Sequence, residues 1–348
     1  MSADLPSERV RAKATALGFQ RVGVARAEPL DDDHARYVAF LDAGMHGGMA
    51  WLAENVAVRR DVATPDILEG ARSVIVCALS YHRGDVAQPM PGAAVARYAH
   101  GADYHNFLRR RVRQLAAWLR SEFGARARPM VDTAPVLERA WARRAGVGFV
   151  GRNGLVIAPG LGSYLLLGEV VTDLELAPDA PAEERCGSCT RCLDACPTQA
   201  FPAPYVLDAR RCVSYLTIEH DGPTDPTLRA SIGDRIFGCD ECQEVCPFNR
   251  TAALDPSLTR RFEGRARWAG VTPEGLLRMT PEAWNEAARG SPLARAGWRR
   301  MARNAATVLG NGGDRRHLPV LRETMTSTSP EVAEAARWAV EALTAEER

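Results

Sequence analysis

Eight of the nine cysteines in this 348-residue chain fall between Cys186 and Cys246. The first four stand in CGSCTRCLDACP, residues 186 to 197, at spacings of two, two and three with a proline after the last. Sulfur this dense serves three chemistries: a zinc site, a disulfide framework or an iron–sulfur centre. Disulfide frameworks belong to oxidising compartments and small secreted domains. Zinc is satisfied by four ligands and often takes histidine among them, which leaves the repeated runs here without a reason. The run C-x2-C-x2-C-x3-C-P is that of two-cluster iron–sulfur proteins, and Cys186, Cys189, Cys192, Cys196 and Pro197 reproduce it.

The second half of the pattern is split. Cys212 stands apart, then Cys239, Cys242, Cys246 and Pro247 complete it, with residues 213–238 inserted. In two-cluster ferredoxins the fourth cysteine of each run crosses to the other cluster. The expected sets are therefore Cys186, Cys189, Cys192 and Cys246 on one 4Fe–4S cluster, and Cys212, Cys239, Cys242 and Cys196 on the other. Such clusters pass single electrons at low potential, so a two-electron reduction is being fed somewhere in the molecule. The insertion is too long for a tight cluster loop; it reads either as a surface hairpin or as a wall between cluster and active site.

The elements around the cysteines follow from periodicity. Residues 1–177 mix helical patterns (Ser7 to Leu17, His105 to Glu122, Pro135 to Ala145) with strand-like runs (Arg21 to Ala25, Ser73 to Ser80, Ser163 to Val171), which predicts an α/β or α+β domain. Cys77, inside SVIVCAL, reads as core. ELAPDAPAEER, residues 175–185, reads as a linker. From about residue 255 the chain looks helical, ending in a hairpin with a GNGGD turn at 310–314 and an N-cap at Ser329-Pro330. GVGFVG at 146–151 matches a dinucleotide fingerprint, but a helical segment precedes it and a strand-like one follows, the reverse of what that motif needs. Gly146 reads instead as a helix C′ residue, and the later glycines as places where backbone approaches a ligand. Asp132 precedes the helix expected from Pro135 and reads either as its N-cap or as an acid in a site, with Arg139 two turns along.

Composition narrows the classes. Apolar residues make up 46% of the chain, enough for packed cores, and the longest apolar runs are far too short to span a membrane. No signal-peptide pattern opens the chain, so the cytoplasm is expected. Lys13 is the only lysine, which excludes P-loop and pyridoxal-phosphate chemistry. A formal charge of +1 hides two basic regions: 11 arginines against three acids over 105–152, and 10 against four over 257–304. Both are consistent with a polyanionic partner such as nucleic acid, and equally with a genome that writes Arg for Lys.

These pieces together resemble the epoxyqueuosine reductase family. The matching segments are GMHGGMAWL (44–52), ARSVIVCALSY (71–81), YAHGADYHNFLRRR (98–111), VDTAPVLERAWARRAGVGFVGRN (131–153), GSYLLLGEVVTD (162–173), the cysteine runs with YVLDARRCVSYLTIE and IGDRIFGCDECQEVCPFN, and RNAATVLGNGGD. The resemblance implies a multidomain α+β protein: an N-terminal α/β cobalamin-binding reductase domain (1–177), a two-cluster ferredoxin-like domain (178–254, with the insertion 213–238), and a C-terminal α-helical HEAT-like domain (255–348). It implies reduction of the epoxide of epoxyqueuosine, at the wobble position of tRNA, to the alkene of queuosine, the last step of queuosine biosynthesis. It makes Asp132 the proton donor and puts Arg139 near the corrinoid. Arg60, Tyr104, His105, Asn153 and Asp240 fall in segments that line corrinoid or substrate. His105 reads as a hydrogen-bonding residue rather than a lower cobalt ligand, since weakly ligated cobalt is easier to reduce. The Arg-rich stretches at 109–113 and 295–303 become candidates for the anticodon-loop phosphates. The partners implied are tRNA and an external low-potential electron donor, for a monomeric enzyme. One departure is GRN at 151–153 where GKN is common; Arg152 keeps the charge. The rival readings are a dehalogenase-like corrinoid reductase, whose export signal is missing here, and an electron-transfer protein fused to a nucleic-acid-binding module, which bound cobalamin would exclude.

Overall fold

A computed structural model describes residues 4–84, 87–255, 262 and 268–345. The first part is built on one four-stranded sheet. Its strands are β1 (Arg21–Arg26), β2 (Ser73–Ser80), β4 (Ala127–Met130) and β7 (Leu165–Thr172), in the spatial order β1-β2-β7-β4. Every neighbouring pair is antiparallel, so the α+β form is the one realised and not the parallel α/β form. In β2 every residue is buried, because both faces are covered. Ile75, Cys77 and Leu79 point to the side packed by helices α1 (Asp4–Ala16) and α3 (Tyr104–Phe123). Val74, Val76 and Ala78 point to the other, against Trp141 and Ala142 of α4 (Glu138–Arg144). This alternation is the period-2 signal that made SVIVCALS legible as a strand.

Helix α3 carries its own explanation. Leu108, Val112, Leu115, Ala116 and Leu119 recur at helical spacing and are buried on the sheet, while Arg110 and Arg113 face solvent. Asp103 caps it by accepting the N–H of His105, and Gly124, left-handed at φ 65°, ends it. Helix α4 is shorter than the expected Pro135–Ala145. Residues 132–137 form a loop and the helix begins only at Glu138. Gly146 (φ 69°) follows its C-cap, and the N–H of Val147 returns to the carbonyl of Ala142. Beyond it the GVGFVG stretch runs into a two-stranded hairpin, β5 (Phe149–Val150) with β6 (Val156–Ile157). A Cβ on Gly148 would lie 2.6 Å from the Ile157 carbonyl oxygen, so this glycine permits contact with protein backbone and not with a ligand.

The 175–185 stretch has no regular structure but is tied down. The Asp179 carboxylate accepts from Val24 N–H and from both terminal nitrogens of Arg11, and Ala177 N–H donates to Ser7 Oγ. The cysteine segment follows, with a one-turn helix α5 (Arg191–Asp194) after its first run. The insertion 213–238 is no surface hairpin. It folds as helices α6 (Val213–Ile218) and α7 (Pro226–Ile232) and strand β8 (Arg235–Phe237), and β8 pairs in parallel with β3 (Ala94–Val95) of the first part. Arg303, on the Gly297–Asn311 helix, is fully buried and donates to the carbonyls of Leu216, His220 and Gly222. Its side chain pins the insertion to the C-terminal helices. Those helices, Pro273–Leu277, Pro281–Ala288, Gly297–Asn311, Leu318–Thr324 and Pro330–Thr344, make up most of the described chain after residue 268. Ala306, Leu309, Leu321, Ala336 and Ala339 form the core between the last of them. Much of the basic region 257–304 before residue 268 lies outside the described residues. Among the described residues no helix is long and apolar enough to cross a membrane.

Candidate active site

Asp132 is the centre of the site. It sits at the end of the segment after β4 with φ 46°, a left-handed backbone uncommon outside glycine. It is not the cap of α4: the N-cap position is Leu137, which makes no side-chain capping bond. The Asp132 side chain is about half-exposed and its Oδ2 lies 2.6 Å from His105 Nε2. The other ring nitrogen of His105 is 2.7 Å from Asp103 Oδ1. A histidine held between two carboxylates keeps its proton, and these two bonds, Asp103 first, push His105 up to about 9. Neither ring nitrogen has a lone pair left for a metal. Tyr104 stacks on the imidazole with ring centres 4.1 Å apart, and burial raises its phenol well above the ordinary value.

The surroundings come from every part of the chain. Arg139, on α4, donates to the Gly154 carbonyl at 2.9 Å. It is solvent-accessible yet surrounded closely enough by protein to be desolvated. Burial pulls its guanidinium down, while Glu138, Cys242, Cys212 and Asp132 pull it back up. Arg139 is therefore near both Asp132 and two of the cysteines. Arg295, from the C-terminal part, pairs bidentately with Glu219 at 2.8 and 3.0 Å and feels Asp132 and Tyr98. Glu219 closes α6, so the insertion contributes to one side of the site.

The eight cysteines form two neighbourhoods. Cys186 feels Cys192; Cys192 feels Cys246 and Cys189; Cys246 feels Cys189. Cys212 feels Cys196; Cys239 feels Cys212; Cys242 feels both Cys212 and Cys239. The groups touch where Cys242 feels Cys192. None is in a disulfide. Two groups of four thiols match what two four-iron clusters ask for, since each thiolate binds a different iron. The second group, Cys212 and Cys242 included, is the one that faces Arg139.

The remaining expected residues divide. Asn153 is buried, donates to the Cys242 carbonyl at 3.3 Å and accepts from Leu155 N–H. Asp240 is buried and accepts from Arg97 N–H at 2.7 Å and from Gln243; burial raises it to about 6. Both hold the second cysteine run against the first part of the chain. Arg60 is engaged elsewhere, in an exposed ion pair with Asp31 at 2.7 Å. The two arginine stretches also differ. Arg299 and Arg300 are paired with Glu331 and Asp221, and Arg303 is buried. Arg109, Arg110 and Arg113 line a concavity of about 380 Å³ with Asn106 and Gln114 on α3, and among the described residues none of the three has a carboxylate at ion-pair distance. Sequence reading missed Asp103, Glu138, Tyr98 and the Arg295–Glu219 pair. Only Asp103 carried a signal, two residues before His105 at a helix start.

Known proteins resemble this chain along nearly its whole length. A family described as "4Fe-4S double cluster binding domain" matches residues 185–249, and one described as "Epoxyqueuosine reductase QueG, DUF1730" matches residues 62–133. The epoxyqueuosine reductase of Xanthomonas campestris is 41% identical over 345 residues, 95% of this chain and 94% of that protein; that of Escherichia coli K12 is 36% identical over 342 residues, 96% and 88%. A solved epoxyqueuosine reductase with an epoxyqueuosine-modified tRNA-Tyr stem loop superposes with a TM-score of 0.89 at 32% identity, covering 97% of this chain and 89% of that one. The Bacillus subtilis enzyme, solved with its catalytic aspartate loop swung out of the active site, superposes with a TM-score of 0.88 at 31% identity, over 97% and 90%. With relatives this similar along nearly its whole length, the chain belongs to the epoxyqueuosine reductase family.

Proposed function

We propose that this protein reduces the epoxide of epoxyqueuosine in tRNA to the alkene of queuosine, the last step of queuosine synthesis, in the cytoplasm. The observation that carries the reading is the Asp103–His105–Asp132 chain of hydrogen bonds, ending in an accessible carboxyl beside the second cysteine group. Overall, the epoxide takes up two electrons and two protons, both C–O bonds break, a C=C bond forms, and the oxygen leaves as water. An alkoxide is a poor leaving group, so an acid must protonate the oxygen as its bond to carbon opens. Asp132 is placed to do so. The proton it delivers comes along the 2.6 Å line from His105, which rests protonated between the two carboxylates, and solvent reprotonates His105 so that the second proton follows the same line. This relay accounts for a second proton without a second acid touching the substrate.

The cluster ligands are Cys186, Cys189, Cys192 and Cys246 on one side and Cys196, Cys212, Cys239 and Cys242 on the other, a division that the two thiol neighbourhoods support. Arg139 and Tyr104, near Asp132 and the second cysteine group, would hold cobalamin, Asn153 and Asp240 steady the cluster loop, Arg60 would first have to leave its exposed pair with Asp31, and His105, with both nitrogens engaged, would not ligate the cobalt. When bound, these groups supply single electrons at low potential and a low-valent cobalt that is a strong nucleophile or reductant.

For the tRNA, the wobble base must leave its stack and enter the cavity while the loop phosphates are neutralised. Arg109, Arg110 and Arg113 extend along α3 from the helix turn that bears His105; Arg109 acts on Asp103, and Arg110 and Arg113 face solvent. The chain divides into a reductase domain (1–177), a cluster domain (178–254) and a helical HEAT-like cap (255–348). All the groups named lie in one chain, so a monomer suffices, with electrons from an external low-potential donor. The test is mass spectrometry of nucleosides from epoxyqueuosine-containing tRNA, incubated anaerobically with protein holding cobalamin and both clusters plus a low-potential reductant. Queuosine forms with wild type and not with Asp132→Asn; an inactive wild type of verified cofactor content would refute the reading.

A further inference from the structure

One carboxyl in the site has no part in the reaction so far. Glu138 opens α4, and its side-chain oxygen accepts the main-chain N–H of Asp132 at 2.6 Å. Asp132 is the residue held at φ 46°, a backbone conformation that carries an energetic cost for any side chain other than hydrogen and persists only where neighbours over-determine it. Among the described residues, the bond to Glu138 is the one hydrogen bond on that N–H. Releasing it frees the backbone to relax, and relaxation carries the carboxyl away from His105.

What lies behind Glu138 is equally unusual. Glu169, on β7, is 1% exposed, and among the described residues neither of its oxygens has a hydrogen-bond partner. It shares the α4 face of the sheet with Leu167 and Val171 and feels both Glu138 and Asp132. A buried carboxyl without partners is costly to keep and calls for a reason. The charged groups facing Glu138 are Asp132 from the loop, His105 from α3, Arg139 from its own helix and Glu169 from β7. Burial, with Asp132 adding to it, pushes Glu138 up to about 7, and burial pushes Glu169 well above the carboxylate range.

We propose that Glu138 is the positioning residue for Asp132: it clamps the 131–137 loop inward by holding the Asp132 N–H, with the buried Glu169 side chain beneath it. The clamp is a property of the folded protein, and only its effect on turnover rests on the epoxide-reducing reading.

The experiment compares wild type, Glu138→Gln and Glu138→Ala, each with its full iron content, by amide hydrogen exchange of the 131–137 loop and by steady-state kinetics on an epoxyqueuosine stem loop. Gln keeps an oxygen for the N–H and loses the titrating proton; Ala loses both. The loop should stay protected in Gln and exchange about tenfold faster in Ala. For Ala, kcat should fall about 10- to 100-fold with KM within about twofold, and Gln should restore most of it. Glu138→Asp, which keeps the carboxyl but shortens its reach to the N–H, should lose loop protection as Ala does, a comparison that stands even if Ala does not fold. Unchanged exchange in both Ala and Asp overturns the clamp. Equal loss of kcat in Gln and Ala with normal loop protection overturns it in favour of proton transfer by the carboxyl itself. An inactive wild type with the expected exchange pattern refutes the substrate reading and leaves the clamp standing.

Discussion

His105 shows what two carboxylates do to an imidazole. Its proton is held up to about pH 9 in the folded protein, against 6.5 for the free side chain, so the two ion pairs stabilise fully below 6.5 and fade as pH rises to 9. If His105 resupplies Asp132, kcat should fall as pH rises through about 9. In Asp103→Asn, which removes the larger of the two influences, that limb should move toward neutral pH; a pH–rate profile of the two proteins checks this. At this scale the sequence was legible where chemistry dictates residue type and spacing together. Eight cysteines in two C-P-terminated runs admit few uses. Asp132 and His105 needed the family resemblance, because an aspartate before a helix is more often a cap. Glu138 was invisible, since an acid in the first turn of a helix is what the helix dipole alone would ask for.

Among the elements, strand β7 carries a cost. Glu169 occupies a position on its α4 face where Leu167 and Val171 are its apolar neighbours. Glu169→Met, similar in size and apolar, should raise stability by about 1–3 kcal/mol near pH 8 by removing a desolvated group without partners. The gain should shrink toward acid, because the folded protein holds this proton far above the 4.5 of a free glutamate and the wild type destabilises only as pH climbs above that value. Denaturant melts of both proteins across pH settle it; a gain independent of pH would contradict the assignment. The strands were read well from sequence, since period-2 burial leaves a clear trace. The start of α4 was misread because nothing local shows that the Asp132 N–H is taken by a side chain six residues on. The insertion was misread because helices of six and seven residues are too short to display a helical period.

Over the whole molecule, two basic stretches that look alike in sequence turn out unlike. The C-terminal one spends its charge internally: Arg295 on Glu219, Arg300 on Asp221, Arg299 on Glu331, Arg303 on backbone carbonyls. No local pattern reveals this, for the partners lie tens of residues away. Among the described residues the α3 row has no carboxylate at ion-pair distance. Replacing Arg109, Arg110 and Arg113 together with Ala should weaken tRNA binding and reduce the slope of log K against log salt by roughly two, whereas Arg299→Ala with Arg300→Ala should leave that slope nearly unchanged. Equal effects from both sets would remove α3 as the phosphate-facing surface. The parallel pairing of β3 with β8 carries a consequence in time. Ala94 meets Arg235, so on a ribosome adding roughly 5–20 residues per second the earlier strand waits on the order of ten seconds for its neighbour. The cavity cannot be walled until most of the chain has been made, and the nascent protein passes through that interval with β3 unpaired.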